Sequence, residues 1–294
     1  MKAIAISDEV ALGDENHERR GASGARIIVG PTYTTKLDVA RTGTFVRDQG
    51  AWLSRWAVER GVTILPKVSE ISPDGYTMET VEVPHLSELD VTETCQRIFA
   101  MIQEQLWPKQ TGGMYVHDNF TATHRAYVRD LLRDVEPNRI KARDLDKVMR
   151  WFYDRIDWSQ LQAGLTHGDC IIDNVGFRIG TDRKKIVILD PIPASDALPN
   201  WRCVDVGRII QSMVGYESVR YQRRGINVDF DAAVTTVLNW YMPKNFEVNE
   251  ARACAYFSVI HTLRAVRTTV PGATRLSVWY LVNKLIEVTE SWML

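Results

Sequence analysis

The sequence predicts an α+β fold in which a small strand-rich N-terminal part precedes a larger helical part. Three observations support this. Residues 26–83 contain β-branched and aromatic runs separated by turn sequences. After Pro84 the apolar residues recur at helical spacing. A single apolar hairpin is embedded in the helical part, between Asn174 and Asp190.

The N-terminal part is expected to contain strands and one helix. Residues 26–29 and 32–37 have strand character. The helix runs from Thr44, which can cap it, to about Arg60, with its apolar residues on one side. Residues 62–71 and 76–83 flank the turn Ser72-Pro73-Asp74-Gly75, which predicts a hairpin.

The helical part begins after a link near residues 83–89, and we place the domain boundary after residue 86. The predicted domains are therefore 1–86 and 87–294. Apolar spacing and Pro or Gly stops predict helices in the second domain around residues 92–106, 128–135, 145–156, 204–214, 250–270 and 275–292.

The embedded hairpin brings three oxygen-bearing side chains toward one place. Asp169 and Asn174 lie in the polar loop that precedes the outward strand, and Asp190 ends the return strand. An outward strand of about five residues and a return of about four, at ~3.3 Å per residue, place Asp190 beside Asn174. Such a cluster suits hard cations and a hydroxyl nucleophile held against a phosphate.

Composition excludes several other classes of protein. The chain has 294 residues, 45% hydrophobic and 25% charged, with a formal net charge of -1, so nothing steers it toward nucleic acid or a membrane surface. No apolar run approaches the ~18 residues of a membrane span, and the N-terminus becomes polar too soon for a signal peptide. Four isolated cysteines suggest neither disulfides nor zinc, which favours a cytoplasmic location.

The motif His167-Gly168-Asp169, with Asn174 five residues after the aspartate, resembles the catalytic loop of the protein-kinase-like fold. The Gly after His is typical of aminoglycoside phosphotransferases, choline kinases and related small-molecule kinases. Ile188-Leu189-Asp190 resembles the second metal-binding segment of that fold, and Trp201-Arg202-Cys203-Val204-Asp205 resembles its later Asp-containing segment.

The resemblance implies a bilobal fold, with ATP and Mg²⁺ as cofactors. Asp169 would accept the proton from the acceptor hydroxyl or orient it, and Asn174 and Asp190 would hold Mg²⁺. His167 would support the loop structurally, and Asp205 would brace it by accepting backbone N–H bonds. The alternative for these residues is a solvated acidic loop.

The resemblance also implies that residues 1–86 cover the nucleotide, with residues 87–294 carrying the catalytic loop. Lys36 would meet the α- and β-phosphates; the alternative is an exposed strand lysine. Its partner on the next helix would be acidic, and Asp48 is better placed than Glu59. Gly21-Ala22-Ser23-Gly24 would cover the phosphates, or form a surface turn.

These inferences predict an ATP- and Mg²⁺-dependent phosphotransferase that acts on an alcohol group of a small molecule, and a cationic acceptor is among the options. A protein Ser/Thr kinase of the same fold, a non-catalytic pseudokinase and a nucleotidyl-transferring variant are the alternatives. Pro191 after Asp190 leaves no Gly for the backbone flip of regulated protein kinases, which favours the small-molecule class.

Overall fold

The computed structural model describes residues 17–20, 25–39, 45–109, 120–135, 142–193, 199–220, 228–243, 247–268 and 273–291. By the contacts within the chain these residues form two compact units. The first unit comprises Met1–Asp90 and Asn174–Pro193, and the second comprises Val91–Asp173 and Ala194–Leu294.

The first unit contains two antiparallel sheets. The larger, five-stranded sheet has the order β1-β2-β3-β5-β4, and the smaller, three-stranded sheet has the order β6-β7-β8. The strands are β1 (His17–Arg20), β2 (Arg26–Val29), β3 (Tyr33–Leu37), β4 (Val68–Ser72), β5 (Gly75–Glu79), β6 (Val81–Glu82), β7 (Val175–Arg178) and β8 (Ile186–Ile188).

The one α-helix described in the first unit is α1 (Phe45–Leu53), which continues as a π-helical turn over Ser54–Glu59. Its buried face packs on the sheet: a Cβ added to Gly50 would lie 2.6 Å from the Cβ of Tyr76 in β5. Only glycine allows this close approach of the helix to the strand. The approach is what brings residues of α1 next to the inward face of β3.

The predicted hairpin around Ser72-Pro73-Asp74-Gly75 is present as β4 and β5, with Ser72 opposite Gly75. The segment predicted as its second strand, residues 76–83, forms two strands. Strand β5 ends at Glu79, and β6 pairs with β7 in the smaller sheet instead of continuing the larger one. The embedded hairpin of β7 and β8 therefore belongs with the first unit by its contacts, although it lies far along the chain. The linear division at residue 86 stays a prediction.

The second unit is helical in its described residues. Its helices are α2 (Val91–Gln105), α3 (Phe120–Val135), α4 (Ala142–Tyr153), α5 (Arg202–Met213), α6 (Tyr216–Arg220), α7 (Phe230–Tyr241), α8 (Val248–Thr268) and α9 (Ala273–Ser291). The small sheet-based N-terminal region and the larger helical C-terminal region confirm the predicted α+β fold class. No helix in the described ranges is long and apolar enough to span a membrane.

Helix α5 is the centre of this unit, and it is buried almost all round. It packs closely against α8: a Cβ added to Gly207 would lie 2.8 Å from the backbone nitrogen of Ser258. One turn earlier, the Nε2 atom of His261 lies 3.1 Å from the carbonyl oxygen of Val204. A buried α5 gives the residues that project from its first two turns a rigid base.

Candidate active site

Lys36 lies in the central part of the larger sheet, on β3, and its side chain points inward. The residue is 2% exposed. Its Nζ atom donates to Oδ1 of Asp190 at 2.8 Å and to Oε1 of Gln49 at 3.0 Å. A buried ammonium group is tolerated only when it is paired and hydrogen-bonded, and both conditions are met here.

Asp190 lies two residues after the end of β8, and the hairpin determines where it lies. Val175 is opposite Ile188 in the ladder, and the N–H of Leu189 donates to the carbonyl oxygen of Asn174 at 2.8 Å. Both predicted metal-binding residues are therefore at the same end of the hairpin.

The backbone of Asp190 has a φ of +57°, in the left-handed region that non-glycine residues seldom adopt. Strain of this kind is concentrated at functional sites.

The helix residue that bonds to Lys36 is Gln49, not the predicted Asp48. The side chain of Asp48 is 51% exposed and lies 3.8 Å from Arg47. Consecutive helix residues point about 100° apart, so only one of the two can face the sheet. The other acidic option, Glu59, is exposed in the π-helical turn. Because Gln is neutral, no motif search for an acidic partner would select it.

The loop that carries Asp169 is held by the buried carboxylate of Asp205, in the first turn of α5. Asp205 accepts backbone N–H bonds from His167 at 3.1 Å and from Gly168 at 2.8 Å. Gly168 has a φ of +77°, which glycine adopts without strain. Complete burial raises the pKa of Asp205 to about 6, because desolvation outweighs the stabilising effect of these bonds.

His167 is fully buried, and its side chain bonds back to the loop. Its Nδ1 atom accepts from the backbone N–H of Asp169 at 3.3 Å. This bond fixes the direction of the chain at the residue that carries the predicted base. The arrangement agrees with a structural role for His167 and gives no support to a metal-binding one.

Arg208 is a functional candidate that sequence reasoning missed. Its Nη2 atom lies 2.8 Å from Oδ1 of Asp169, its Nε donates to the carbonyl oxygen of Gly168 at 3.3 Å, and its Nη1 donates to Gln211 at 2.7 Å. The side chain is 8% exposed. Its only sequence signal was a basic residue one turn after Asp205 in a helix that is otherwise mostly apolar.

A second set of contacts that sequence reasoning missed lies just after the loop that carries Asp169. Ser212 donates to Glu217 at 2.5 Å and accepts from the backbone N–H of Ile172 at 3.3 Å. Asp173 pairs with Arg220 at 3.4 Å. Burial, followed by repulsion from Asp173, raises the pKa of Glu217 to about 7. These contacts anchor the loop to α5 and α6.

The remaining sequence candidates, Gly21 and Gly24, lie outside the described residues. Within the described part of the chain, no group of three or more His, Cys, Asp or Glu residues could hold a metal. The predicted donor set of one carboxylate and one amide oxygen matches Mg²⁺, which is usually held by one or two protein oxygens, with the other positions taken by water and phosphate.

Solved structures with a similar fold are small-molecule kinases and related proteins. Plasmodium vivax ethanolamine kinase aligns with a TM-score of 0.56 and 10% identity, over 95% of this chain and 80% of its own. The choline kinase LicA from Streptococcus pneumoniae aligns with a TM-score of 0.56 and 11% identity, over 91% of this chain and 89% of its own. APH(2″)-IIa, in its ternary complex with streptomycin and ATP, aligns with a TM-score of 0.52 and 13% identity, over 94% of this chain and 93% of its own.

No protein-family model matches the sequence, and no curated protein matches it. At these identities the structural similarities establish the fold alone. They agree with the arrangement of strands, hairpin and helices described above, and so with the resemblance seen in the sequence. The chain has the protein-kinase-like fold of the choline kinase and aminoglycoside phosphotransferase type.

Proposed function

We propose that the protein is an ATP- and Mg²⁺-dependent phosphotransferase that moves the γ-phosphate to an alcohol group of a small molecule. The observation that carries the proposal is the ion pair between Lys36 and Asp190, 2.8 Å long. It joins the predicted phosphate-binding cation to a predicted metal-binding carboxylate. A scaffold has no need to bury a lysine against an acidic residue held in a strained backbone conformation.

The nucleotide-binding role belongs to residues of the first unit. Lys36 binds the α- and β-phosphates, and Asn174 and Asp190 hold Mg²⁺ through oxygen atoms. When bound, Mg²⁺ would neutralise negative charge on the phosphates during transfer. Gly21 and Gly24 stay candidates for the phosphate cover, whereas the exposed Asp48 has no place in the proposed site.

The chemical role belongs to Asp169 in the second unit. Asp169 orients the acceptor hydroxyl and takes its proton as the oxygen attacks the γ-phosphorus, while the bond from that phosphorus to the β-phosphate oxygen breaks and ADP leaves. Arg208 holds the carboxylate of Asp169 at 2.8 Å, while His167 and Asp205 hold the backbone on either side of Gly168. Positioning of this kind supplies much of the rate enhancement in phosphoryl transfer.

The fold supports a small acceptor over a protein acceptor. The ethanolamine and choline kinases share it, as does the complex that contains streptomycin and ATP. A cationic acceptor is therefore one option. The cytoplasmic location stays a prediction. A protein kinase and a pseudokinase are the alternatives that the following experiment separates.

The test compares the wild-type protein with Asp169→Asn. Binding of Mg·ATP is measured by isothermal titration calorimetry, and mass spectrometry finds any small molecule in a cell extract that gains a phosphate. We expect Asp169→Asn to bind Mg·ATP as the wild type does and to transfer phosphate roughly 10²–10⁴-fold more slowly. Asp182→Asn, in the exposed hairpin turn, is the matched control and should be fully active.

Two results would contradict the proposal. A wild-type protein that does not bind Mg·ATP has no nucleotide site of the proposed kind. An Asp169→Asn variant as fast as the wild type has a different base. Binding of Mg·ATP without transfer to any extract component would favour the pseudokinase, and transfer only to protein would favour the protein kinase.

A further inference from the structure

Gln49 uses both ends of its side-chain amide inside the first unit. The residue is 2% exposed and lies on the buried face of α1. Its Oε1 atom accepts from Nζ of Lys36 at 3.0 Å, and its Nε2 atom donates to the carbonyl oxygen of Pro191 at 2.7 Å. It therefore touches the predicted phosphate-binding lysine and the residue that directly follows the predicted metal ligand Asp190.

These contacts close a ring. Lys36 bonds to Asp190, Asp190 is covalently joined to Pro191, Pro191 accepts from Gln49, and Gln49 accepts from Lys36. Asp190 is the member held at a φ of +57°. A strained backbone persists only when its surroundings determine it from several sides, and the ring restrains both its side chain and the following peptide.

The choice of an amide at position 49 has a direct chemical reason. An amide offers an acceptor oxygen and a donor nitrogen, whereas a carboxylate only accepts. A glutamate would bond more strongly to Lys36, because a charge-assisted bond is stronger than a neutral one. It would, however, turn an oxygen toward the carbonyl oxygen of Pro191 and leave that buried acceptor without its donor.

Charge balance points the same way. Within the described residues, Lys36 is paired with one carboxylate, that of Asp190. A glutamate at position 49 would be a second carboxylate on the same buried lysine. Asp190 would then compete for the cation that holds it. A neutral Gln49 leaves the charge of Lys36 to Asp190 and to the phosphates.

We propose that Gln49 is a positioning residue that holds Lys36 and the segment Asp190-Pro191 in one fixed arrangement through the two ends of its amide. This role rests on the proposed function, because Lys36 and Asp190 are residues of the proposed nucleotide site. It adds to that site a side chain that holds the two residues in place. The segment after the metal ligand is fastened to the helix α1 by a side chain, so the ligand is in place before any nucleotide binds.

Two variants separate this role from that of a simple partner for Lys36. Gln49→Glu keeps an acceptor for Lys36 and loses the donor to Pro191. Gln49→Met keeps a similar volume and loses both bonds. If Gln49 served Lys36 alone, Gln49→Glu would bind Mg·nucleotide as tightly as the wild type or more tightly, and only Gln49→Met would bind less tightly.

The first measurement is binding of Mg·AMP-PNP to the full chain by isothermal titration calorimetry. We expect the dissociation constant to rise about tenfold in Gln49→Glu and at least as much in Gln49→Met. Gln103→Glu, an exposed change of the same kind on α2, should bind as the wild type does. Wild-type affinity in Gln49→Glu would overturn the inference.

The second measurement needs no nucleotide. Hydrogen exchange of peptides that cover residues 186–192 reports on the amide of Leu189, which donates to Asn174. We expect faster exchange there in both Gln49 variants, and unchanged exchange in Gln49→Glu would overturn the inference whatever the calorimetry gives. Failure of the wild type to bind Mg·AMP-PNP is a different outcome, because it contradicts the proposed function itself.

Discussion

Lys36 on β3 and Asp190 after β8 are 154 residues apart in the chain and form an ion pair 2.8 Å long. The lysine side chain is 3% exposed and the aspartate side chain is 38% exposed. The buried partner therefore depends on the pair more than the half-buried one does.

Lys36→Met should weaken nucleotide binding and lower stability. The change removes the phosphate-binding cation, so we expect the dissociation constant for Mg·AMP-PNP to rise at least about tenfold. Methionine also leaves the carboxylate of Asp190 and the buried Oε1 of Gln49 without their donor, and an unpaired buried acceptor is costly, so the free energy of unfolding should fall by about 1–3 kcal/mol. Calorimetry and urea unfolding measure the two effects.

The control for Lys36 is Lys67→Met, at an exposed position of the same unit. It should leave both quantities unchanged. Unaltered nucleotide binding in Lys36→Met would remove Lys36 from the proposed site.

Arg208→Gln should slow phosphate transfer more than it weakens substrate binding. Arg208 holds Asp169 and the carbonyl of Gly168, and misplacing a reacting group can reduce the rate about a hundredfold. We expect kcat to fall ~10–100-fold and the KM for ATP to change little. Arg208→Lys, which keeps the charge but not the fork of donors, should recover part of kcat.

A different outcome would assign Arg208 to folding. If Arg208→Gln has an unchanged kcat and a lower unfolding midpoint, the arginine supports α5 without acting on Asp169. Arg155→Gln, at an exposed position of the second unit, controls for loss of one positive charge.

Glu217 should make stability depend on pH. Its pKa is raised in the folded protein to about 7, above the ordinary value near 4.3. The folded state then holds its proton more tightly than the unfolded state. The contribution of Glu217 is complete below about pH 4 and is lost as the pH rises to 7, by at most ~1.4 kcal/mol per pH unit.

The variant Glu217→Gln cannot titrate, so its free energy of unfolding should fall less between pH 5 and 7 than that of the wild type. Urea unfolding at several pH values measures the difference. Parallel pH profiles for the two proteins would show that Glu217 has an ordinary pKa in the folded state.

Gly207→Ala should destabilise the second unit. The added Cβ would lie 2.8 Å from the backbone nitrogen of Ser258 and 2.9 Å from the backbone carbonyl carbon of Phe257. Backbone atoms cannot move aside as a flexible side chain can, and such overpacking costs roughly 1–3 kcal/mol. Alanine gains about 1 kcal/mol in helix propensity, so the net loss should be about 0–2 kcal/mol.

The reverse change at exposed Ala100, in the interior of α2, isolates the propensity effect. Ala100→Gly should lose about 1 kcal/mol by thermal or urea unfolding. A Gly207→Ala protein more stable than the wild type by that same amount would mean that α5 and α8 are not in close contact at Gly207.

The loop that carries Asp169 and the hairpin after it were predictable because their information is local. His167, Asp169 and Asn174 lie within eight residues, and the turn at residues 180–183 determines where the return strand ends. The prediction that Asp205 accepts backbone N–H bonds also came from a motif, and the structure has such bonds from His167 and Gly168. Strand and helix periodicity was enough for most of the elements and their order, but it did not predict β1, α6 or α7.

The partner of Lys36 was not predictable in the same way. Asp48 and Gln49 are neighbours in the sequence, and only the rotation of α1 against the sheet decides which of them faces Lys36. Arg208 was hidden for a similar reason, since its contact with Asp169 depends on how α5 packs beneath the loop. Neither arrangement leaves a pattern in the residues next to it.

The sequence by itself determined the fold class, most of the strands and helices in their order, and the loop and hairpin that carry Asp169, Asn174 and Asp190. These follow from hydrophobic period, turn residues and short spacings, which act over a few residues. Only the tertiary structure decided that Gln49 joins Lys36 to Pro191 and that Arg208 holds Asp169. Such contacts join residues far apart in the chain, and their geometry depends on the packing of whole elements against one another.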